Sequence, residues 1–159
     1  MLNIKIICVG KLKEKFYADA ANEYIKRLSR YSRTDICEVP DLPEPANASD
    51  ADRESVKTKE GKELLAKIRP QDRVCALCID APQLSSEQLA ERISAAKMSG
   101  DRYVFVIGGS LGLSDEVLRR ADERLSMSKM TFPHALARVM ILEQIYRAEK
   151  INAGERYHK

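Results

Sequence analysis

Apolar residues along this chain form two kinds of pattern: short continuous runs, and stretches where they return every third or fourth position. The runs predict buried strands, and the spaced stretches predict helices with one apolar face. Ile4, Ile6, Ile7 and Val9 make the first run, ended by Gly10. Phe16, Ala20, Tyr24 and Leu28, with Ala21 and Ile25, mark the face of a first helix, and Ile36–Val39 reads as a second, short strand. Pro43 and Pro45 then break regular structure, because proline lacks the N–H that a helix interior or a central strand needs. Ser49 or Asp50 is placed to cap the next helix. That helix carries Val56, Leu64, Leu65 and Ile68 among many charges, is weakened by Gly61, and runs to Pro70 as a mostly solvated element.

Val74–Ile79 predicts a third strand. Ser85 with Gln88 fits a capping box for a helix whose stripe is Leu89, Ile93 and Ala96, ending at Gly100. Tyr103–Ile107 is wholly apolar, so both of its faces are covered, as in a parallel sheet. A glycine turn follows, Gly108-Gly109-Ser110-Leu111-Gly112-Leu113, and then Ser114 caps a helix with Asp115 and Glu116 in its first turn, where they suit the helix dipole. Leu125–Ser128 reads as a short last strand, and Pro133 as a first-turn residue of a long helix. That helix shows more apolar surface (Leu136, Val139, Met140, Ile141, Leu142, Ile145, Tyr146) than one sheet face would cover. The alternation predicts one α/β domain over residues 1–159, a mainly parallel sheet with helices on both faces.

Composition narrows the function only modestly. With 27 Lys and Arg against 24 Asp and Glu, the net charge of +3 neither marks nor excludes a nucleic-acid binder. Aromatic residues are 6% with no Trp, so no stacking platform for single strands is evident. No run is long and apolar enough to span a membrane, and Lys5 interrupts the apolar start, so no secretion signal is read and the cytoplasm is the expected compartment. Cys8, Cys37, Cys75 and Cys78 read as reduced thiols. Cys75 and Cys78 have CxxC spacing, but residues three apart on a strand point to opposite faces and no second ligand pair is present, so no metal is expected.

The glycine turn lies where parallel sheets bind ligands, beyond a strand's carboxyl end, yet it lacks the dinucleotide and P-loop spacings, so a ligand loop and a plain turn both remain open. His134 and His158 are the two histidines; the tail Arg156-Tyr157-His158-Lys159 reads either as a solvated end or as a cover that supplies a proton acceptor. Many basic residues, among them Lys11, Lys13 and Lys15, lie near predicted loops. Arg138 sits on the otherwise apolar last helix and therefore needs a carboxylate or phosphate partner, with Glu143, Glu149 or a bound ligand as candidates.

Three segments together are specific: Phe105–Leu113, Leu125–His134, and the closing Tyr157-His158-Lys159. With Val9–Lys13 and Glu38-Val39-Pro40, and in order and length, the sequence resembles the ribosomal RNA large subunit methyltransferase H family of SPOUT-class methyltransferases. The resemblance implies a C-terminal trefoil knot, a homodimer, and S-adenosyl-L-methionine as cofactor. It places cofactor contacts on Leu77, Gly108 and the adjoining Gly109, and Met127, Ser128, Lys129, Met130, Thr131 and Phe132. It implies methylation of N3 of a pseudouridine in 23S rRNA of the ribosome. Within that reading His158, or else Glu143, is the candidate base, Tyr157 positions it, and Arg138 holds a phosphate or a developing oxyanion. A nucleotide-binding regulatory module and a non-catalytic ribosome-associated dimer are the alternatives.

Overall fold

A computed structural model describes residues 1–159. Five strands, β1 (Leu2–Val9), β2 (Ser32–Val39), β3 (Arg73–Leu77), β4 (Tyr103–Ile107) and β5 (Glu123–Leu125), form one sheet in the order β2-β1-β4-β3-β5. Every pairing is parallel. The helices between and after them are α1 (Lys15–Leu28), α2 (Asp50–Leu65), α3 (Ser86–Ser99), α4 (Asp115–Arg120) and α5 (His134–Asn152).

The alternation within each strand divides the core in two. Ile4, Ile6, Cys8, Cys75, Tyr103 and Phe105 face α1, α3 and α5, where Tyr103 and Phe105 stack at 4.6 Å between ring centroids. Ile7, Val9, Val74, Ala76, Val104 and Val106 face the other way, onto Leu64 of α2 and Val117 of α4. Helices thus cover both faces, as the unbroken Tyr103–Ile107 run requires.

The helix starts follow the side-chain chemistry. Ser49 and Asp52 close a capping box on α2, Ser85 and Gln88 close one on α3, and Ser114 Oγ accepts from Val117 N. Gly100 ends α3 with φ of 75°, a left-handed conformation that glycine adopts without strain.

Several elements depart from the sequence expectation. β2 begins at Ser32, four residues before its apolar part. α2 ends at Leu65, and Lys67 and Ile68 continue it only as turn hydrogen bonds to Leu64 and Leu65. α2 is also less solvated than its charges suggest: Glu60, Gly61 and Leu64 are buried. At Gly61 a Cβ would stand 2.3 Å from Ser114 Oγ, so the glycine lets α2 close onto the start of α4. β3 stops at Leu77, and Cys78 and Ile79 leave the sheet. β5 ends at Leu125; Ser126 adds one bridge to Gln83, and the chain then turns away. Pro133 stands just outside α5, as its N-cap. α5 packs between α1 and α3, and the C-terminal tail returns over it, so no residue from His134 to Ile151 is fully exposed. Within one chain, its broad apolar surface is therefore largely covered, and Leu136, Val139 and Met140 remain half-buried.

Candidate active site

β3, β4 and β5 are adjacent and parallel, so their carboxyl ends open on one side of the sheet. There the chain forms a cleft of about 720 Å³. Leu77 and Cys78 contribute from β3, Ile107 and the whole turn Gly108–Leu113 from β4, and Leu125, Met127, Ser128 and Met130–Pro133 from beyond β5. His134 and Ala137 of α5 close it. The structure thus brings together Leu77, Gly108, Gly109, Met127, Ser128, Met130, Thr131 and Phe132, and leaves only Lys129 of the expected cofactor residues off the wall.

The floor is backbone by necessity. A Cβ on Gly108 would meet the main chain of Gly112 at 2.8 Å, and Gly112 itself has φ of 83°. Gly112 N donates to Gly109 O at 3.0 Å, which ties the turn shut. No Asp, Glu, Lys or Arg lines the cleft. Recognition there falls to main-chain N–H and C=O groups, to hydroxyls such as Ser128 and Thr131, and to apolar surface. That donor set suits an uncharged purine and its ribose. On β3, burial pushes the Cys75 thiol up to about 12, so it is an inert core residue, whereas half-buried Cys78 faces the cleft. No group of three or more His, Cys, Asp or Glu side chains could hold a metal ion.

The four candidate catalytic residues lie in two places, and none lines the cleft. Arg138 is 1% exposed and does not pair with Glu143 or Glu149. Its Nη1 donates to Glu38 Oε2 at 2.7 Å and its Nη2 to the carbonyl of Gly10 at 3.0 Å, while its Nε has no partner. Glu38 also accepts from Leu12 N, so Arg138 pins the loop after β1 beside the start of α5. Glu149 is instead bound by Lys97.

Glu143, Tyr157 and His158 form the second group, with Arg147. Glu143 Oε1 accepts from Arg147 and, at 3.2 Å, from the Tyr157 hydroxyl. Burial, with the Glu143 charge beside it, pushes the Tyr157 hydroxyl up to about 12. The Tyr157 ring packs edge-on against Tyr146 at 4.9 Å and lies under the Arg147 guanidinium. His158 Nδ1 is 3.3 Å from Arg147 Nη1, and its Nε2 is 2.8 Å from Glu87 Oε1. Since guanidinium only donates, Nδ1 accepts and Nε2 carries the ring proton toward Glu87. Glu87 is held below the usual carboxylate range by its own backbone N–H and by His158. Glu143 lines a second cavity of about 510 Å³ that shares Leu125 and Met127 with the cleft, so the two sites meet at the end of β5.

A family model described as "Predicted SPOUT methyltransferase" matches residues 2–158. The chain is 55% identical over 159 residues to the ribosomal RNA large subunit methyltransferase H of Bifidobacterium animalis subsp. lactis (strain AD011), covering 99% of this chain and 100% of that protein. This chain belongs to the ribosomal RNA large subunit methyltransferase H family. The Clostridioides difficile (strain 630) member is 52% identical over the same shares of both chains. A crystal structure of a methylase family protein from Neisseria gonorrhoeae has the same fold, with a TM-score of 0.55 at 15% identity over 99% of this chain and 87% of that one. SPOUT methyltransferases as a class use S-adenosyl-L-methionine. Lys11 and Lys13, which the sequence reading left among the general basic residues, are exposed on the loop that Arg138 pins, outside any ion pair.

Proposed function

We propose that this chain transfers the methyl group of S-adenosyl-L-methionine to N3 of the pseudouridine at position 1915 of 23S rRNA in the assembled ribosome. One observation carries the reading: residues from three distant parts of the chain, Leu77, Gly108–Gly109, and Met127, Ser128 and Met130–Phe132, meet in one uncharged, backbone-floored cleft. Its volume lies within the usual range for such ligands, roughly 300–1,000 Å³. The trefoil knot of the family belongs to the same reading, with Met127–Phe132 as its cofactor loop.

When bound, the cofactor supplies an electrophilic methyl on a positively charged sulfur. The residues around the cleft hold it with backbone donors and acceptors and shield it from water. N3–H of the base must lose a proton, and His158 Nδ1 takes it once free of Arg147, with Tyr157 and Glu143 holding the tail in place. Arg138 keeps the loop after β1 fixed, so that Lys11 and Lys13 face the RNA backbone. Glu143, Tyr157 and His158 stand off the cleft within one chain, so the active site is completed in a homodimer, with the half-buried face of α5 against its copy. Acting on ribosomes, the enzyme works in the cytoplasm and needs no membrane or metal.

The test is methyl transfer from labelled S-adenosyl-L-methionine to intact ribosomes, followed by mapping of the modified base. Label at N3 of that pseudouridine supports the reading. Cofactor binding without transfer would make the chain a binding module and sink it.

A further inference from the structure

Glu60 is a carboxyl where a carboxyl is expensive. It is 4% exposed, on α2 against the sheet's end. Its Oε2 accepts from Leu42 N at 3.1 Å, and it forms no ion pair with any lysine or arginine. A Cβ built on Gly109 would lie 3.3 Å from its Oε1 and 3.6 Å from its Oε2, with Val9 closing the other side at 3.2 Å. The next residue, Gly61, is pressed onto Ser114. Two consecutive residues of α2 therefore grip both ends of the segment Gly109–Ser114, of which Gly109–Leu113 line the cleft. Through Leu42 the same carboxyl also holds the proline-containing loop after β2.

The surroundings decide its charge state. Gly109 stands against Glu60, with Val9 of β1 on the other side of that glycine, and the loop after β2 brings Asp41, a second acid. On α2 itself Lys57, one turn earlier, is occupied by Glu54 at 3.3 Å. Burial pushes the Glu60 carboxyl up, the Leu42 N–H pulls it down, and Asp41 pushes it up again, for a net rise. An unpaired buried carboxylate is unfavourable. A protonated Glu60 accepts from Leu42 and donates to Asp41 at once.

We propose that Glu60 is a positioning residue for cofactor binding: it straps the loop at Asp41 and Leu42 to the back of the Gly109 turn and so fixes the floor of the cleft. The ligand's identity rests on the function proposed above; the strap does not.

The experiment measures S-adenosyl-L-methionine affinity by calorimetry on the full chain from about pH 5 to about pH 8, for the wild type, Glu60→Gln and Glu60→Ala. Glutamine keeps an acceptor and a permanent donor. Expected is wild-type affinity that falls relative to Glu60→Gln as pH rises, while Glu60→Gln stays within about threefold of the wild type's low-pH value, since both then make the same hydrogen bonds. Glu60→Ala binds about tenfold more weakly, the loss expected for one hydrogen bond to a buried carboxyl. If Glu60→Ala does not fold, the Glu60→Gln comparison decides alone. Parallel pH profiles for the wild type and Glu60→Gln overturn the proposal. So does weaker binding by Glu60→Gln throughout, which would make Glu60 a charge acting on the cation. If the wild type binds no S-adenosyl-L-methionine, the function proposed above fails. The strap is then read from amide protection at Leu42 and Gly109: protection that falls with pH only in the wild type upholds it, and identical protection in both proteins overturns it.

Discussion

Gly61→Ala separates two opposite expectations. Helix propensity alone says that alanine in the interior of α2 stabilises the protein by about 1 kcal/mol. The structure says otherwise, because the new Cβ would stand 2.3 Å from Ser114 Oγ and 3.0 Å from Ser114 Cβ. Ser114 is 3% exposed and caps α4 through its Oγ, 3.3 Å from Val117 N. Rotating that hydroxyl away forfeits a cap worth about 1 kcal/mol, which cancels the propensity gain. The residual overlap with Ser114 Cβ forces α2 outward, an overpacking strain of about 1–3 kcal/mol. The net is a destabilisation of about 1–3 kcal/mol, or roughly 3–9 °C in Tm for a chain this long. The assay is thermal unfolding by circular dichroism at fixed protein concentration. Ser114→Gly opens the space at a cost of only a few tenths of a kcal/mol at an N-cap. In that background Gly61→Ala should turn neutral or stabilising by up to about 1 kcal/mol, and the cycle should show a coupling of about 1–4 kcal/mol. An unchanged or raised Tm for Gly61→Ala alone would refute the close approach of α2 to α4.

His158→Ala should lower kcat for methyl transfer by about 10²–10⁴-fold, the usual range for general-base loss. Cofactor affinity should hold, since His158 does not line the cleft; kcat unchanged across pH removes His158 as the base. Replacing Lys11 and Lys13 together by alanine should raise the KM for ribosomes and reduce the slope of log affinity against log salt by about 1.5, with S-adenosyl-L-methionine affinity intact; an unchanged slope places the RNA elsewhere. For Asp72, burial raises the carboxyl, but the Arg102 guanidinium and the Arg69 N–H outweigh it and hold it below its ordinary 3.8. A depressed folded-state pKa adds stability that is present above about pH 4 and lost as pH falls through the folded value. The stability gap between the wild type and Asp72→Asn should therefore shrink in acid titration below pH 4, and a constant gap would count against the pairing.

Most strands were legible because burial on both faces forces continuous apolar runs. The exception shows why: the first half of β2, Ser32–Asp35, is at the sheet's edge with Arg33 and Asp35 exposed, so no apolar run announces it. The long-range partner of Arg138 was not legible either. It is Glu38, one hundred residues away, and only the fold brings β2 beside the start of α5. Glu60 escaped notice, and Gly61 read only as a weak point of its helix, because hydrophobic counting assigns neither to a core, yet one fills and the other vacates space beside the glycine turn. The cofactor residues came from motif resemblance, and the glycine turn alone left a ligand loop and a plain turn equal. The meeting of three strand ends, a property of sheet order that no local spacing encodes, is what supports the ligand-loop reading.

β5 is only three residues long and pairs with β3 alone, too short for its ladder to secure it. Its anchor is Glu123, which takes hydrogen bonds from Arg73 of β3 at 2.6 Å, from Tyr103 of β4 at 3.0 Å, and from Arg92 of α3. The rivet sits at the strand's first residue, upstream of the Met127–Phe132 segment. Rearrangement of Met127–Phe132 around an incoming molecule can therefore proceed without loosening the sheet, and sequence drift in that wall could retune which donor analogues are admitted while leaving the scaffold's melting behaviour nearly untouched.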